Sequence, residues 1–262
     1  MHMGHGFEIR KSFILERLDR NGSLLVKEAA QELGISETTI RRDLNELHEA
    51  GVLKQVYGGA VRLDQDFRSP HFYHLSNRST LQIDEKKRIG AAAAQLVNDN
   101  DILYIDPGST SWEMIPHLKN KRNLTIISNS VRLLQCLDYI GHHTIIQLGG
   151  VLRPERLDTV GSLAHLCIEQ LRGYRAFQGG DGIDLDFGLS AVDHEATLVA
   201  KTVLANARET FVLADHTKFE NPSLLYKIVD IADIDHLITD RPVSAAWTKR
   251  CRDTKVNVVI AP

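Results

Sequence analysis

From residue 101 onward the chain alternates short apolar runs with stretches of helical periodicity, and this alternation limits the fold more than any other feature. The runs are ILYID at 102, LTIIS at 124, TIIQL at 144, YRAFQ at 174, TFVLA at 210, HLITD at 236 and VNVVI at 256. Strands that alternate with helices predict a mostly parallel sheet covered on both faces. In such a sheet, ligands bind at the carboxyl ends of the strands. The loops after these runs are therefore the first place to look for a site.

The segment before residue 63 has a different texture. FEIRKSFILERLDRNG carries Ile9, Phe13, Ile14 and Leu18 at helical spacing and stops at Asn21-Gly22. LLVKEAAQELG predicts a second helix, with Ala29, Ala30 and Leu33 inward and Gly34 as its stop. Ser36 caps a third helix whose core face is Ile40, Leu44 and Leu47, and Gly51 ends it. VLKQVYGGAVRL reads as a hairpin turning at Gly58-Gly59. Two short helices joined by GIS fit a helix-turn-helix, in which the second helix enters the major groove. On that helix Thr38, Arg41, Arg42 and Asn45 are spaced i, i+3, i+4 and i+7, opposite the apolar stripe. Arginine forks onto guanine or phosphate, and Thr and Asn reach base edges or phosphate oxygens. Lys54 and the glycine-tipped hairpin suit a wing along the backbone. The plainer alternative is a solvated face laced by i,i+4 pairs such as Arg42 with Glu46. Residues 1–62 hold nine Lys+Arg and nine Asp+Glu, so charge alone does not decide.

The polar stretch DQDFRSPHFYHLSNRST, broken by Pro70, reads as a linker, followed by an alanine-rich helix in DEKKRIGAAAAQLV. The net charge of -3 means that any anion site must be local. Cys136, Cys167 and Cys251 are odd in number and far apart, which argues against a disulfide framework or a thiolate zinc site and predicts buried thiols in a reducing compartment. No apolar run approaches the roughly 20 residues of a membrane span, and the start lacks the apolar core of a signal peptide, so a cytoplasmic protein is expected. His142 and His143 are adjacent, and neither an HExxH nor a GxSxG sequence occurs, so metal and serine-hydrolase chemistry have no motif behind them.

Within the larger region, Gly108, Ser109 and Thr110 follow a strand and open a helix, suited to phosphate, although no Walker lysine is present. Arg153 follows Gly149-Gly150 and can bind phosphate bidentately. Asp181 and Asp184 stand beside glycines at a strand end, where carboxylates accept sugar hydroxyls. Asp215 and Lys218 lie just past another strand. Glu195 and Lys201 are six apart and do not share a helical face. A capped turn, a surface arginine, an Asp-Gly turn and a loop lysine explain each of these equally well when taken singly.

GISETTIRRDLNELHEAGVLKQVYGGA closely resembles the signature of DeoR-type bacterial transcription regulators. DPGST, Ser128-Asn129, the glycine pair followed by Arg153 and Gly161, GGDGID, DHTKF and ITD resemble the effector domain of the same family, so the likeness spans nearly the whole chain. It implies a winged helix-turn-helix over 1–62, a linker over 63–80 and an α/β effector domain over 81–262, similar in fold to ribose-5-phosphate isomerase. It implies DNA contacts from Ser36, Thr38, Thr39, Arg41, Arg42, Asn45, Lys54, Gly58 and Gly59. It implies an effector pocket of Asp106, Gly108, Ser109, Thr110, Asn129, Gly149, Arg153, Asp181, Glu195, Lys201 and Lys218. Ser128-Asn129 and DHTKF stand where many relatives have TN and DSSKF, a sign of a different sugar. The expected protein is a repressor of a carbohydrate operon, a homo-oligomer (dimer or tetramer) on double-stranded operator DNA. It takes no cofactor or metal and responds to a phosphorylated sugar or sugar alcohol. The competing expectation is an isomerase-like enzyme fused to a DNA-binding module, with Glu195 or Asp181 as base and Lys218 as electrostatic stabiliser.

Overall fold

The computed structural model describes residues 3–21, 23–56, 59–62, 81–154, 156–220 and 225–262. The chain forms two compact units, Met1–Ser76 and Asn77–Pro262. The division falls inside the stretch read as a linker, and residues 63–80 lie outside the described ones.

The first unit contains α1 (Met3–Asn21), β1 (Ser23–Leu25), α2 (Val26–Leu33), α3 (Glu37–Glu49), β2 (Leu53–Val56) and β3 (Gly59–Arg62). Its core is Ile14, Leu18, Ala29, Ile40, Leu44, Leu47, Leu53 and Ala60, all at 2% exposure or less. Each large apolar side chain so buried stabilises by about 1.5–3 kcal/mol. Gly34 closes α2 in the left-handed region at φ +64°, which glycine enters without a Cβ clash. Two expectations need correction. Leu24 and Leu25 do not open the second helix; they form β1, which pairs antiparallel with β3 and makes the hairpin three-stranded. Ile9 is 59% exposed and lies off the inner face of α1, which runs through the half-buried Phe7 and Phe13 to Ile14 and Leu18.

A buried charge pair also ties this unit together. Asp43 sits on the inner side of α3, between Ile40 and Leu44, and is 3% exposed. Arg10 of α1 forks onto it, Nε to Oδ2 at 2.5 Å and Nη2 to Oδ1 at 2.9 Å. The pair fixes the angle at which α3 leaves α1.

The second unit is built on a seven-stranded sheet, β4 (Ile102–Ile105), β5 (Thr125–Ser128), β6 (Thr144–Gln147), β9 (Arg175–Gln178), β12 (Glu209–Leu213), β14 (His236–Thr239) and β15 (Asn257–Ile260). Its order is β15-β14-β12-β9-β4-β5-β6, and every neighbouring pair is parallel. All seven apolar runs are in it. Along the strands, side chains alternate between two cores. Leu103, Ile105, Phe177, Phe211, Leu213 and Ile238 pack on one face with α4 (Ile83–Gln95). Tyr104, Ala176, Val212 and Leu237 pack on the other, under α5 (Ser162–Glu169), α6 (His194–Asn206) and α7 (Ala245–Thr254). Outside the sheet, β7 (Val151–Arg153) pairs with β8 (Asp158–Val160), and β10 (Gly182–Asp184), β11 (Gly188–Ala191) and β13 (Tyr226–Val229) form a small antiparallel sheet. Cys136 and Cys251 are buried, but Cys167 is exposed, on the outer side of α5, contrary to expectation. Among the described residues no helix is long and apolar enough to cross a membrane.

Arg10→Ala is expected to cost the first unit about 3 kcal/mol, because it leaves a carboxylate buried without its partner. Adding Asp43→Asn should recover part of the loss. Urea unfolding followed by helical circular dichroism checks both.

Candidate functional site

Each unit carries one candidate surface. In the first unit it is the outward side of α3. Ser36 caps the helix, its Oγ accepting the Thr39 N–H at 3.2 Å and lying 2.8 Å from Thr39 Oγ1. Because Ile40, Leu44 and Leu47 point inward, Thr38, Arg41, Arg42 and Asn45 are all exposed. Arg41 reaches back to Glu37 at 2.8 Å, and Asn45 donates to Glu49 at 2.9 Å. The Arg42–Glu46 pair weighed from the sequence does not form. Among the described residues Arg42 makes no hydrogen bond or ion pair, so its guanidinium keeps its full capacity for an outside anion. An exposed pair such as Glu37–Arg41 is worth about 0.5 kcal/mol and exchanges readily for another partner. Gly59 is buried at the start of β3. Lys54 lies in β2 opposite Val61, while its side chain and Gly58 fall outside what is described.

In the second unit, parallel pairing sets the residues that follow β14, β12, β9, β4, β5 and β6 side by side along one rim, about 4.8 Å apart from strand to strand. Asp106, past β4, is half-buried. It accepts the Gly108 N–H at 2.8 Å, the Gly179 N–H at 3.2 Å and the Gln178 amide at 2.8 Å. Burial pushes its carboxyl above the usual range, against the pull of those bonds. The Gly108 amide is thus already engaged. Ser109 and Thr110 open a single helical turn, Ser109–Trp112, with Thr110 buried. Asn129, past β5, is 2% exposed; its Oδ1 accepts the Tyr104 hydroxyl at 2.7 Å and its Nδ2 donates to the Thr159 carbonyl at 2.9 Å. It braces β8 against the sheet. Gly149 is exposed, with open space where a Cβ would stand. Asp181, past β9, accepts the Val192 N–H at 3.0 Å, while Asp184 accepts the Asp186 and Phe187 amides and closes a turn. Lys218 is half-buried on a single helical turn past β12 and makes no side-chain ion pair among the described residues.

Arg153 departs from expectation. Its Nε and Nη2 fork onto Asp158 at 2.8 and 2.6 Å, and its Nη1 reaches Asp193 at 2.6 Å. Asp158 is 2% exposed. The bidentate edge assigned to phosphate is therefore occupied by a buried carboxylate, and Arg153 is a strut from β7 to β8 and to the start of α6. Arg156 shares Asp193 at 2.8 Å and lies close enough to Asp106 to favour its charged form. Glu195 is exposed in the first turn of α6, next to that strut. Lys201 does not join the rim. It is exposed eight residues past Asp193, about 12 Å along the helix at 1.5 Å per residue.

Three features escaped the sequence reading. Asp193 caps α6 through the Ala196 N–H at 2.8 Å. An aspartate just before HEATLVAK was a legible cap signal. Asp240, past β14, is buried and holds His216, taking its backbone N–H at 2.7 Å and meeting Nδ1 at 2.9 Å. At the opposite end of the sheet Arg175 joins Asp101 and Glu209 at 2.8 and 2.7 Å, a pairing of residues far apart in sequence. Among the described residues no group of three or more His, Cys, Asp or Glu is arranged to hold a metal ion.

Two domain families match this chain. A DeoR-like helix-turn-helix domain matches residues 10–66, and a DeoR C terminal sensor domain matches residues 81–241. The chain is 30% identical to the Uncharacterized HTH-type transcriptional regulator YulB of Bacillus subtilis, over 97% of this chain and 96% of that protein. It is 27% identical to the HTH-type transcriptional regulator IolR of Bacillus subtilis, over 92% and 94%. It is 29% identical to the Glycerol-3-phosphate regulon repressor of Escherichia coli, over 89% and 90%. Among solved structures, a ribose 5-phosphate isomerase A from Methanocaldococcus jannaschii aligns over 53% of this chain and 55% of that one, with 21% identity and a TM-score of 0.37, too slight a likeness to bear on activity.

The Arg153 strut has a pH signature. Burial works to raise the Asp193 carboxyl, but the Ala196 amide and the two guanidinium groups outweigh it and hold the carboxyl below the usual range. A depressed carboxyl contributes stability above its unfolded value of about 3.9, lost as pH falls through the lower folded value. Arg153→Ala is expected to destabilise the second unit by about 3 kcal/mol at pH 7. The deficit should shrink as pH falls below about 4 and on through the lower folded value of Asp193. Thermal unfolding at several pH values checks this.

Proposed function

The chain belongs to the DeoR family of DNA-binding transcriptional regulators, and from that premise we propose that it represses a carbohydrate-metabolism operon under control of a phosphorylated sugar or sugar alcohol. The observation that carries the reading is α3: four polar residues stand on its open side while Ile40, Leu44, Leu47 and Asp43 anchor the other. The helix enters the major groove of the operator, with Arg42 and Arg41 on phosphate or guanine and Thr38 and Asn45 beside them. Ser36, Thr39 and the α3 amides steady the backbone of one strand, and Lys54 with the Gly58-Gly59 turn serves as the wing. The protein binds as a dimer or higher oligomer, matching the symmetry of an operator.

The effector site is the rim of the second unit. Lys218 supplies positive charge and has no ion-pair partner among the described residues, and the Ser109 and Thr110 amides with the open Gly149 loop receive the phosphate. Asp181 and Glu195 accept sugar hydroxyls. Arg153 acts at one remove, holding β7 and α6 in register through Asp158 and Asp193. An effector with unequal affinity for the DNA-competent and incompetent arrangements shifts operator affinity by the same factor in return. The relatives carry the names of regulators and repressors, and the protein is a regulator rather than an isomerase.

Arg42→Ala is expected to weaken binding to an operator selected from random duplexes by about tenfold, within the 1–3 kcal/mol of one good base contact. Fluorescence anisotropy at fixed salt measures it, and unchanged affinity would remove α3 from the groove. Lys218→Ala should leave operator affinity and folding intact and blunt the thermal stabilisation given by phosphorylated sugars. A wild-type response from that variant in a thermal-shift series would displace Lys218 from the site.

A further inference from the structure

The second unit leaves apolar side chains uncovered on three neighbouring stretches of chain. On β7, Val151 is 66% and Leu152 50% exposed, although neighbours in a strand face opposite ways and one of the two is normally buried. On α5, Leu163 is 62% and Leu166 53% exposed; three residues apart, they share the side opposite the buried Ala164 and Ile168. At the start of α6, Val192 is 49% and Leu198 39% exposed. Contacts join these pieces. Val151 Cγ2 lies 3.6 Å from where a Cβ on Gly161, the cap of α5, would stand. His165 of α5 meets the Thr202 hydroxyl of α6 at 2.9 Å. The Arg153–Asp193 bond ties the residue after Leu152 to the residue after Val192.

We propose that this surface, β7 with the outer sides of α5 and the start of α6, is the contact between two copies of the chain. Two observations favour a second copy as occupant. The six side chains together expose on the order of 500–600 Å², the upper end of what a monomer leaves in one patch and most of the ~800 Å² per partner of a standard interface. Among the described residues β7 pairs only with β8. Its free edge is self-complementary, because antiparallel pairing of a strand with its own copy obeys a two-fold axis. The surface adjoins the Arg153 strut, so a change at the rim reaches it through one side chain. This deepens the oligomer proposed for operator binding, but its test needs no DNA. A monomer in solution would sink the interface and leave α3 in the groove untouched.

The experiment is sedimentation equilibrium of the full chain from 1 to 100 μM, beside a Leu152→Lys, Leu166→Lys double variant. The wild type should sediment at twice its 29.4 kDa or a multiple of it. The variant should fall to the monomer with an unchanged circular dichroism spectrum. A monomeric wild type, or a folded variant with undiminished mass, overturns the proposal. Should the variant misfold, hydrogen exchange of the wild type decides. Protection of the Val151–Arg153 amides must rise with protein concentration, and concentration-independent exchange refutes the contact.

Discussion

A parallel sheet has two unlike ends, and everything at the candidate effector site depends on that asymmetry. Because all six ladders of the seven-stranded sheet run the same way, each strand delivers its following loop to one rim. Asp106, Asn129, Gly149, Asp181 and Lys218 are each 20 or more residues apart in the chain, yet they follow five successive strands of the sheet, β12, β9, β4, β5 and β6. The helices that return the chain cover both faces and bury Leu103 with Ile105 on one side and Tyr104 on the other. Had the sheet been antiparallel, half of these loops would have emerged at the far end.

Buried ion pairs do a second job in both units. They specify orientation where apolar packing alone would tolerate sliding. Arg10 with Asp43 fixes α3 against α1, and Arg153 with Asp158 and Asp193 fixes β7 and β8 against α6. At the opposite end of the sheet, Arg175 bridges Asp101 and Glu209 while its guanidinium stacks 4.8 Å from the Phe211 ring centroid. In each case desolvation is offset by two-point geometry, which costs little reorganisation and defines one arrangement.

What could be read from the sequence was what depends on local pattern. Seven apolar runs announced seven strands, and the stripe Ile40, Leu44, Leu47 placed α3 with its open side outward. What could not be read was pairing at a distance. Arg153 next to a glycine pair looks like an anion clamp until Asp193, forty residues on, is found on the same guanidinium. Asn129 looks like a ligand contact until Tyr104 and Thr159 close on both ends of its amide. Leu24 and Leu25 fit a helix by composition, but the β3 edge offers them a ladder, and tertiary pairing overrides local propensity. Cys167 was expected inside because cysteine is usually buried, yet it lies on the open side of α5.

The Glu37–Arg41 pair on α3 bears on how such a protein would search a genome. Non-specific attraction to duplex scales with the number of phosphates that basic groups neutralise. Here one of two adjacent guanidinium groups is already matched by a carboxylate, in a segment whose basic and acidic residues balance at nine each. Random sequence must displace Glu37 to gain a second strong contact and has little to offer in return. In the proposed DNA complex, displacing an exposed pair worth about 0.5 kcal/mol lowers affinity for random duplex about twofold, a small share beside what base contacts supply.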